Sequence, residues 1–220
     1  KNAFFHQNMD VIASKNSDIR WKHFPWLYYR FEDMLLRRLD SVFVVREDAV
    51  QAYRKRYPKL AHRFNFIPTW VDPEVFSPAS EPERARLRKE LLKPLGIQKD
   101  EIVMVFVGRL DKQKDPLLLI DSFSKVLQAE QKAHLLLVGD GVLRQEVEAR
   151  IEALNLNSKV SLAGLVGPRD VANYLRSSDL FVLSSAYEGM PMCVLEAMGS
   201  GLPVVSTDVG EIRRIVTPGV

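Results

Sequence analysis

The chain has 220 residues, enough for one large domain or one and a half smaller ones. Its 46% apolar and 27% charged composition is that of a globular protein, and no apolar run approaches the ~20 residues of a membrane-spanning helix. The net charge of +3 is too small to name a partner and gives no sign of nucleic-acid binding, and the single cysteine, Cys193, excludes an intramolecular disulfide and fits a reducing cytoplasm.

Taken in chain order, Ala3-Phe-Phe-His6 reads as the end of a strand. Ile19 to Leu39 reads as a helix, because Trp21, Phe24, Leu27, Phe31, Met34 and Leu35 recur at helical spacing, with Pro25 as an interruption. Asp40–Val45 is expected as a short buried strand, Arg46–Arg56 as a helix ended by Tyr57-Pro58, and Phe64–Pro68 as a further strand. The stretch Thr69–Pro78 is rich in proline and polar residues and reads as an interdomain connection. Glu81 to Leu95 is an amphipathic helical pattern that stops before Gly96. Beyond it, strands at 102–107, 134–138, 159–163, 179–184 and 203–206 alternate with helices that begin near Pro116, Val142, Pro168 and Met192. Such alternation predicts an α/β fold with a parallel sheet, and strands apolar throughout predict a sheet covered on both faces. Lys1 opens the chain without an initiator Met and Val216–Val220 stops where a final strand and helix are expected, so the chain reads as a fragment.

Chemistry concentrates at the ends of those strands. Tyr187-Glu-Gly-Met-Pro-Met-Cys-Val-Leu-Glu-Ala197 holds two glutamates separated by seven residues. Glu188 falls on the loop after one strand, and Glu196 on the first turns of the next helix. At the C-terminal edge of an open α/β sheet ligands bind, and a helix start suits a phosphate. Arg109 and Lys114 follow strand 102–107, where a guanidinium and an ammonium could grip a diphosphate. Gly139-Asp-Gly141 lacks the third glycine of a dinucleotide fingerprint, because Arg144 stands in its place, and reads as a turn. No His, Cys or Asp cluster has metal-ligand spacing. Cys193 reads as a packing residue, as do His23, His62 and His134.

Together these segments resemble the retaining glycosyltransferases of family 4, which have the two-domain GT-B fold. The resemblance rests on the E-x7-E pattern, on Val107-Gly-Arg-Leu110 with Lys114 five residues after Arg109, and on Leu135–Gly141 and Gly201–Thr207 in that order. It implies two Rossmann-like domains: residues 1–68 as the latter part of an N-terminal, acceptor-side domain, 69–80 as the linker, and 81–220 as a C-terminal donor-binding domain truncated at its end. The family commonly has Asn-Gly where Thr69-Trp70 stands, which removes any inference of a tight turn there.

The resemblance also assigns roles. Arg109 and Lys114 would hold the leaving diphosphate, Glu188 the donor sugar and Glu196 the ribose hydroxyls. Gly108, Gly189, Met190, Pro191 and Met192 would line the donor, with Val194 and Leu195 turning backbone N–H groups to the phosphate and Val166 bordering the base. His6 would face the donor sugar from the N-terminal domain. The implied reaction is retaining, metal-independent transfer from a nucleotide-diphosphate sugar to a glycan or lipid-linked acceptor, with no cofactor. Two other readings stay open: a nucleotide-sugar epimerase or phosphorylase of the same fold, and a non-enzymatic nucleotide-sugar module. Arg20–Arg63 carries eleven Lys/Arg against five Asp/Glu. Within it, a peripheral contact with the inner membrane face through the basic, aromatic stretch Arg20–Arg30 stands beside its plainer reading as a packed helix.

Overall fold

The structure is a computed structural model that describes residues 3–6 and 25–217. It divides into two compact units, Lys1–Thr69 and Trp70–Val220.

In the first unit, β1 (Ala3–His6), β2 (Ser41–Val44) and β3 (Phe64–Phe66) form a parallel sheet in the order β1-β2-β3. His6 is the last residue of β1 and stands opposite Val44. Two helices accompany these strands, α1 (Pro25–Leu36) and α2 (Glu47–Arg56). Acidic Glu47 and Asp48 open α2 and Arg54, Lys55 and Arg56 close it, which matches the helix dipole at both ends. Val42, Val44, Val50, Tyr53 and Phe64 make the core. Glu32 on α1 accepts hydrogen bonds from the phenols of Tyr53 (3.1 Å) and Tyr57 (2.5 Å), which ties α1 to the α2 end of the unit.

The described α1 differs from its expected packing. Trp21 and Phe24 lie outside the described residues, and Pro25 is the first helical residue instead of an interruption. Leu27, Phe31, Met34 and Leu35, expected on the packed face, are exposed together with Trp26, whereas Leu36 is buried. Helical spacing identifies one face of a helix but not what covers it.

The second unit holds the doubly wound sheet. Its strands are β4 (Ile102–Val107), β5 (Ala133–Val138), β6 (Val160–Gly164), β7 (Leu180–Leu183) and β8 (Val204–Ser206), all parallel, in the order β6-β5-β4-β7-β8. The helices are α3 (Glu81–Leu87), α4 (Pro116–Ala129), α5 (Arg144–Ala153), α6 (Pro168–Ser177), α7 (Met192–Gly199) and the short α8 (Ile212–Ile215). β5 is buried at every position, as its unbroken Ala-His-Leu-Leu-Leu-Val run predicts. Phe106, Ile120, Phe123, Leu175 and Phe181 are buried in the same core, each burial contributing on the order of 2 kcal/mol. Phe76 is buried in this same core with Val71 and Val75 packed against it, so the stretch from Val71 onward folds with the second unit.

Three local features shape this unit. Asp115 caps α4 by accepting from the Leu118 amide at 3.2 Å, and Pro116 follows at the first helical position, where its missing N–H costs nothing. The expected single helix from Glu81 to Leu95 keeps its ends but changes pitch. It turns π-helical at Arg88–Leu92 and 3-10 at Lys93–Leu95, because Pro94 has no amide to give Glu90 and crowds that carbonyl. Helix α5 starts at Arg144, two residues after Val142, which is left exposed in the turn.

Candidate functional site

The order of the second sheet reverses at β4: β5 and β6 lie on one side of it, β7 and β8 on the other. At such a reversal the loops after the two central strands diverge and leave a crevice at the strands' C-terminal ends. Here those loops are Gly108–Asp115, after β4, and Ser184–Pro191, after β7.

The two loops are joined by hydrogen bonds. Lys114 Nζ lies 2.7 Å from Glu188 Oε1, and both side chains are largely buried, at 13% and 7% exposure. Ser185 Oγ donates to the same Glu188 oxygen at 2.7 Å. Ser184 Oγ lies 2.8 Å from the carbonyls of both Lys114 and Asp115, and the Ala186 amide donates to the Gln113 carbonyl at 2.8 Å. A third loop supports the acidic one from behind. Thr207 Oγ1 donates to the Ser185 carbonyl at 2.7 Å and the Glu211 amide to the Gly189 carbonyl at 3.0 Å. Gly210, at φ +59°, leans so closely on this turn that a Cβ there would stand 2.2 Å from the Gly189 oxygen.

Arg109 stands at the exposed edge of this network. It is 71% exposed, paired with Asp111 at 3.1 Å, and donates to Gln113 Oε1 at 3.3 Å. Expectation put both cations at a phosphate; in the structure Lys114 is already bonded to Glu188. Glu196 projects from α7, partly buried, and among the described residues its carboxylate has no hydrogen-bond donor. Burial pushes its carboxyl above the ordinary range, and the nearby Lys114 charge opposes that shift. Cys193 lies 3.9 Å from Lys114 Nζ, and burial pushes its thiol up to about 11, so it is a packing residue and not a nucleophile.

At the start of α7, Pro191 is buried and occupies the N-cap without a side-chain bond, Met192 is exposed, and Gly189 and Met190 are partly buried. The Val194 amide, expected to face a phosphate, bonds to the Pro191 carbonyl at 3.1 Å. Leu195 is partly buried on the same turn. His6 ends β1 in the first unit.

Beside the ionic cluster lies a pocket of about 220 Å³ at the ends of β4, β5 and β6. Its lining comes from Gly108 and Arg109 after β4, from Val138 and Gly139 at the end of β5, and from Leu165 and Val166 after β6. Gly139 permits this packing: at φ +136° it lies against Gly108 so tightly that a Cβ would be 2.0 Å from the Gly108 oxygen. Asp140, on the rim, is held below the ordinary carboxyl range chiefly by the Gly141 amide and also by Arg144. Val166 and Gly108 were expected here, Leu165 with Val166 as part of the stretch 163–166 and Asp140 as part of a turn near the pocket; Val171 was not.

Several residues of the cluster escaped a reading that looked for charge. Gln113, Ser185 and Thr207 are uncharged and act through hydrogen bonds to groups far away in sequence, and Gly210 acts through close contact. His134, expected as structural, is buried between Glu101 (3.2 Å) and Ser161 (2.9 Å) at the start of the strands. Among the described residues no group of three or more His, Cys, Asp or Glu is placed to hold a metal ion, and no helix is long and apolar enough to cross a membrane.

An exposed arginine and a lysine after β4, an acidic loop after the adjacent β7 and a slot beside them define a two-unit α/β protein of the GT-B type. The model of the glycosyl transferases group 1 family matches residues 88–220, and the chain belongs to that family. It is 32% identical over 196 residues to mannosylfructose-phosphate synthase of Agrobacterium fabrum, covering 86% of this chain and 42% of that protein. It is also 32% identical to the UDP-Gal:alpha-D-GlcNAc-diphosphoundecaprenol alpha-1,3-galactosyltransferase of Escherichia coli, over 67% of this chain and 37% of that one. Among solved structures, Anabaena HepE in complex with UDP and glucose superposes with a TM-score of 0.73 at 22% identity, covering 99% of this chain and 55% of that chain. The chain spans about two fifths of the length of these two curated relatives.

Proposed function

We propose that this chain carries the donor site of a retaining glycosyltransferase that moves a sugar from a nucleotide-diphosphate donor to an acceptor hydroxyl, without metal or cofactor. The observation that carries this reading is the pairing of the Arg109–Lys114 loop with the Glu188 loop on adjacent strands at the sheet's reversal point. The exposed Arg109 guanidinium meets the diphosphate first. Lys114 then shares its charge between Glu188 and the phosphate. Glu196, a carboxylate with open acceptor positions, takes the ribose hydroxyls. The slot between Gly108–Arg109 and Leu165–Val166 takes the base. Met190, Pro191 and Met192 lie along the sugar.

In the reaction the bond between the anomeric carbon and the phosphate oxygen breaks, and a bond to the acceptor oxygen forms on the same face. The acceptor's proton passes to the departing phosphate. Negative charge grows on that phosphate as the bond breaks, so Arg109 and Lys114 stabilise the transition state more than the ground state. The similar galactosyltransferase is named for a diphosphoundecaprenol acceptor. That name, with the exposed Trp26 and Phe31 on the basic first unit, supports a lipid-linked or envelope-glycan acceptor and a site of work at the cytoplasmic membrane face.

The test is calorimetry with UDP, GDP and ADP, beside transfer assays with the corresponding glucose donors in EDTA. Binding of at least one nucleotide, weakened tenfold or more by Arg109→Ala, is expected, and proton NMR should find the donor's anomeric configuration kept in the product. A chain that binds none of the three nucleotides would overturn the proposal.

A further inference from the structure

We infer that Gln113 is the positioning residue of this site: its side-chain amide links the Arg109 cation to the loop that carries Glu188. The inference deepens the donor-site reading and rests on it for the ligand. Gln113 Oε1 accepts from Arg109 Nη2 at 3.3 Å, while Nε2 lies 3.3 Å from the Tyr187 carbonyl and 3.3 Å from Glu188 Oε2. The residue's own carbonyl accepts the Ala186 amide at 2.8 Å.

Chemistry fixes which way the amide faces. A guanidinium only donates, and a carbonyl and a carboxylate only accept. The amide oxygen must therefore face Arg109, and the amide nitrogen must face Tyr187 and Glu188. A carboxylate at 113 would hold Arg109 and repel Glu188; an ammonium would hold Glu188 and repel Arg109. Glutamine satisfies both without adding charge to a site that already contains Asp111, Lys114, Glu188 and Glu196. An anion that draws Arg109 toward itself pulls on the Oε1 bond and so acts on Tyr187 and Glu188. Arg109 is exposed and Glu188 is buried, so Gln113 carries the pull from the mouth of the site to its interior.

The first arm of the test uses the ligand-free 220-residue chain. Amide hydrogen exchange is compared in wild type, Gln113→Ala and Gln113→Glu. Both variants should raise exchange by about tenfold at the Ala186 and Glu211 amides, which bond to the Gln113 and Gly189 carbonyls and so report on this loop, and leave Leu135–Val138 unchanged. Gln113→Glu is the deciding variant, because it keeps the size of the side chain and its grip on Arg109 but lacks the donor. If it exchanges like wild type, Gln113 only fills space and the inference is wrong. If exchange rises equally across the whole sheet, Gln113 is a general stabiliser and the inference is equally wrong.

The second arm repeats the measurement with UDP, GDP or ADP. At least one nucleotide should slow exchange at the Ala186 and Glu211 amides in wild type, and that slowing should be lost in Gln113→Glu. Equal slowing in both proteins would overturn the link to Arg109. If no nucleotide alters wild-type exchange, the donor-site reading fails, while the ligand-free arm still decides the role of Gln113.

Discussion

Replacing Gly139 by alanine tests whether the pocket depends on the close approach of two backbones. The new Cβ would stand 2.0 Å from the Gly108 oxygen and 2.9 Å from its carbonyl carbon. Relief requires that oxygen to retreat by about 1 Å, since non-bonded carbon–oxygen contacts start near 3 Å. Gly108 has little room to move, because its amide is bonded to the Val138 carbonyl at 3.0 Å and Val107 before it is buried. The backbone at φ +136° adds strain of about 1–3 kcal/mol for any residue with a side chain. With one backbone hydrogen bond weakened by about 1 kcal/mol, the sum is about 3 kcal/mol. Native-state amide exchange at Leu135–Val138 should therefore speed up by roughly 10²-fold. Gly167→Ala is the control. Its φ is −74° and the nearest atom to an added Cβ is 3.8 Å away, so its effect should stay within about 0.5 kcal/mol. A Gly139→Ala chain whose β5 amides exchange within threefold of wild type would refute the argument from close approach.

Asp179→Ala removes the acceptor shared by Arg84, Arg88 (3.1 Å) and the Val103 amide (2.8 Å), and urea unfolding should find a loss of about 2 kcal/mol, reduced from a fully buried pair because these groups are part-exposed. Glu196→Gln should stabilise the folded chain at pH 7. Burial raises the folded-state carboxyl, so between the ordinary value and the raised one the native state binds more protons and stability falls as pH rises; the advantage of the variant, read from urea midpoints, should vanish below about pH 4. Cys193, with its thiol pushed up to about 11, should react with iodoacetamide at pH 8 at least ~10²-fold more slowly than an exposed cysteine, and labelling at the exposed rate would show that the thiol is not buried.

Much of the second unit was legible in the sequence because its strands are continuous apolar runs and its helix starts carry chemical marks. Pro116 and Pro168 each fall at a first helical position, where proline is pre-shaped for the turn. The pitch change after Arg88 was harder to read, since the apolar spacing survives it. The exposed face of α1 was misread for a different reason: Leu27, Phe31, Met34 and Leu35 have the period of a packed face, and period carries no information about a covering partner. At the site, charge and order in the chain pointed to Arg109, Lys114, Glu188 and Glu196. The Lys114–Glu188 bond was not foreseen, because it joins residues 74 positions apart and depends on β4 lying beside β7. Gln113 carried no signal of its own, as an uncharged side chain on a charged loop.

The hydroxyl of Ser184, reaching the carbonyls of both Lys114 and Asp115, has a consequence for how this site can be rebuilt. Together with the Ala186 amide on the Gln113 carbonyl and the Lys114–Glu188 pair, it makes the basic and acidic loops a single hydrogen-bonded body. A graft that imported only residues 108–115 from a relative would keep the main-chain contacts, which any residue supplies, but would present foreign side chains to Glu188 where Gln113 and Lys114 now bond it. The unit of exchange between homologues is therefore the pair of loops, and substitutions at 113 and 114 should be inherited together with substitutions at 188, although the two segments are encoded far apart.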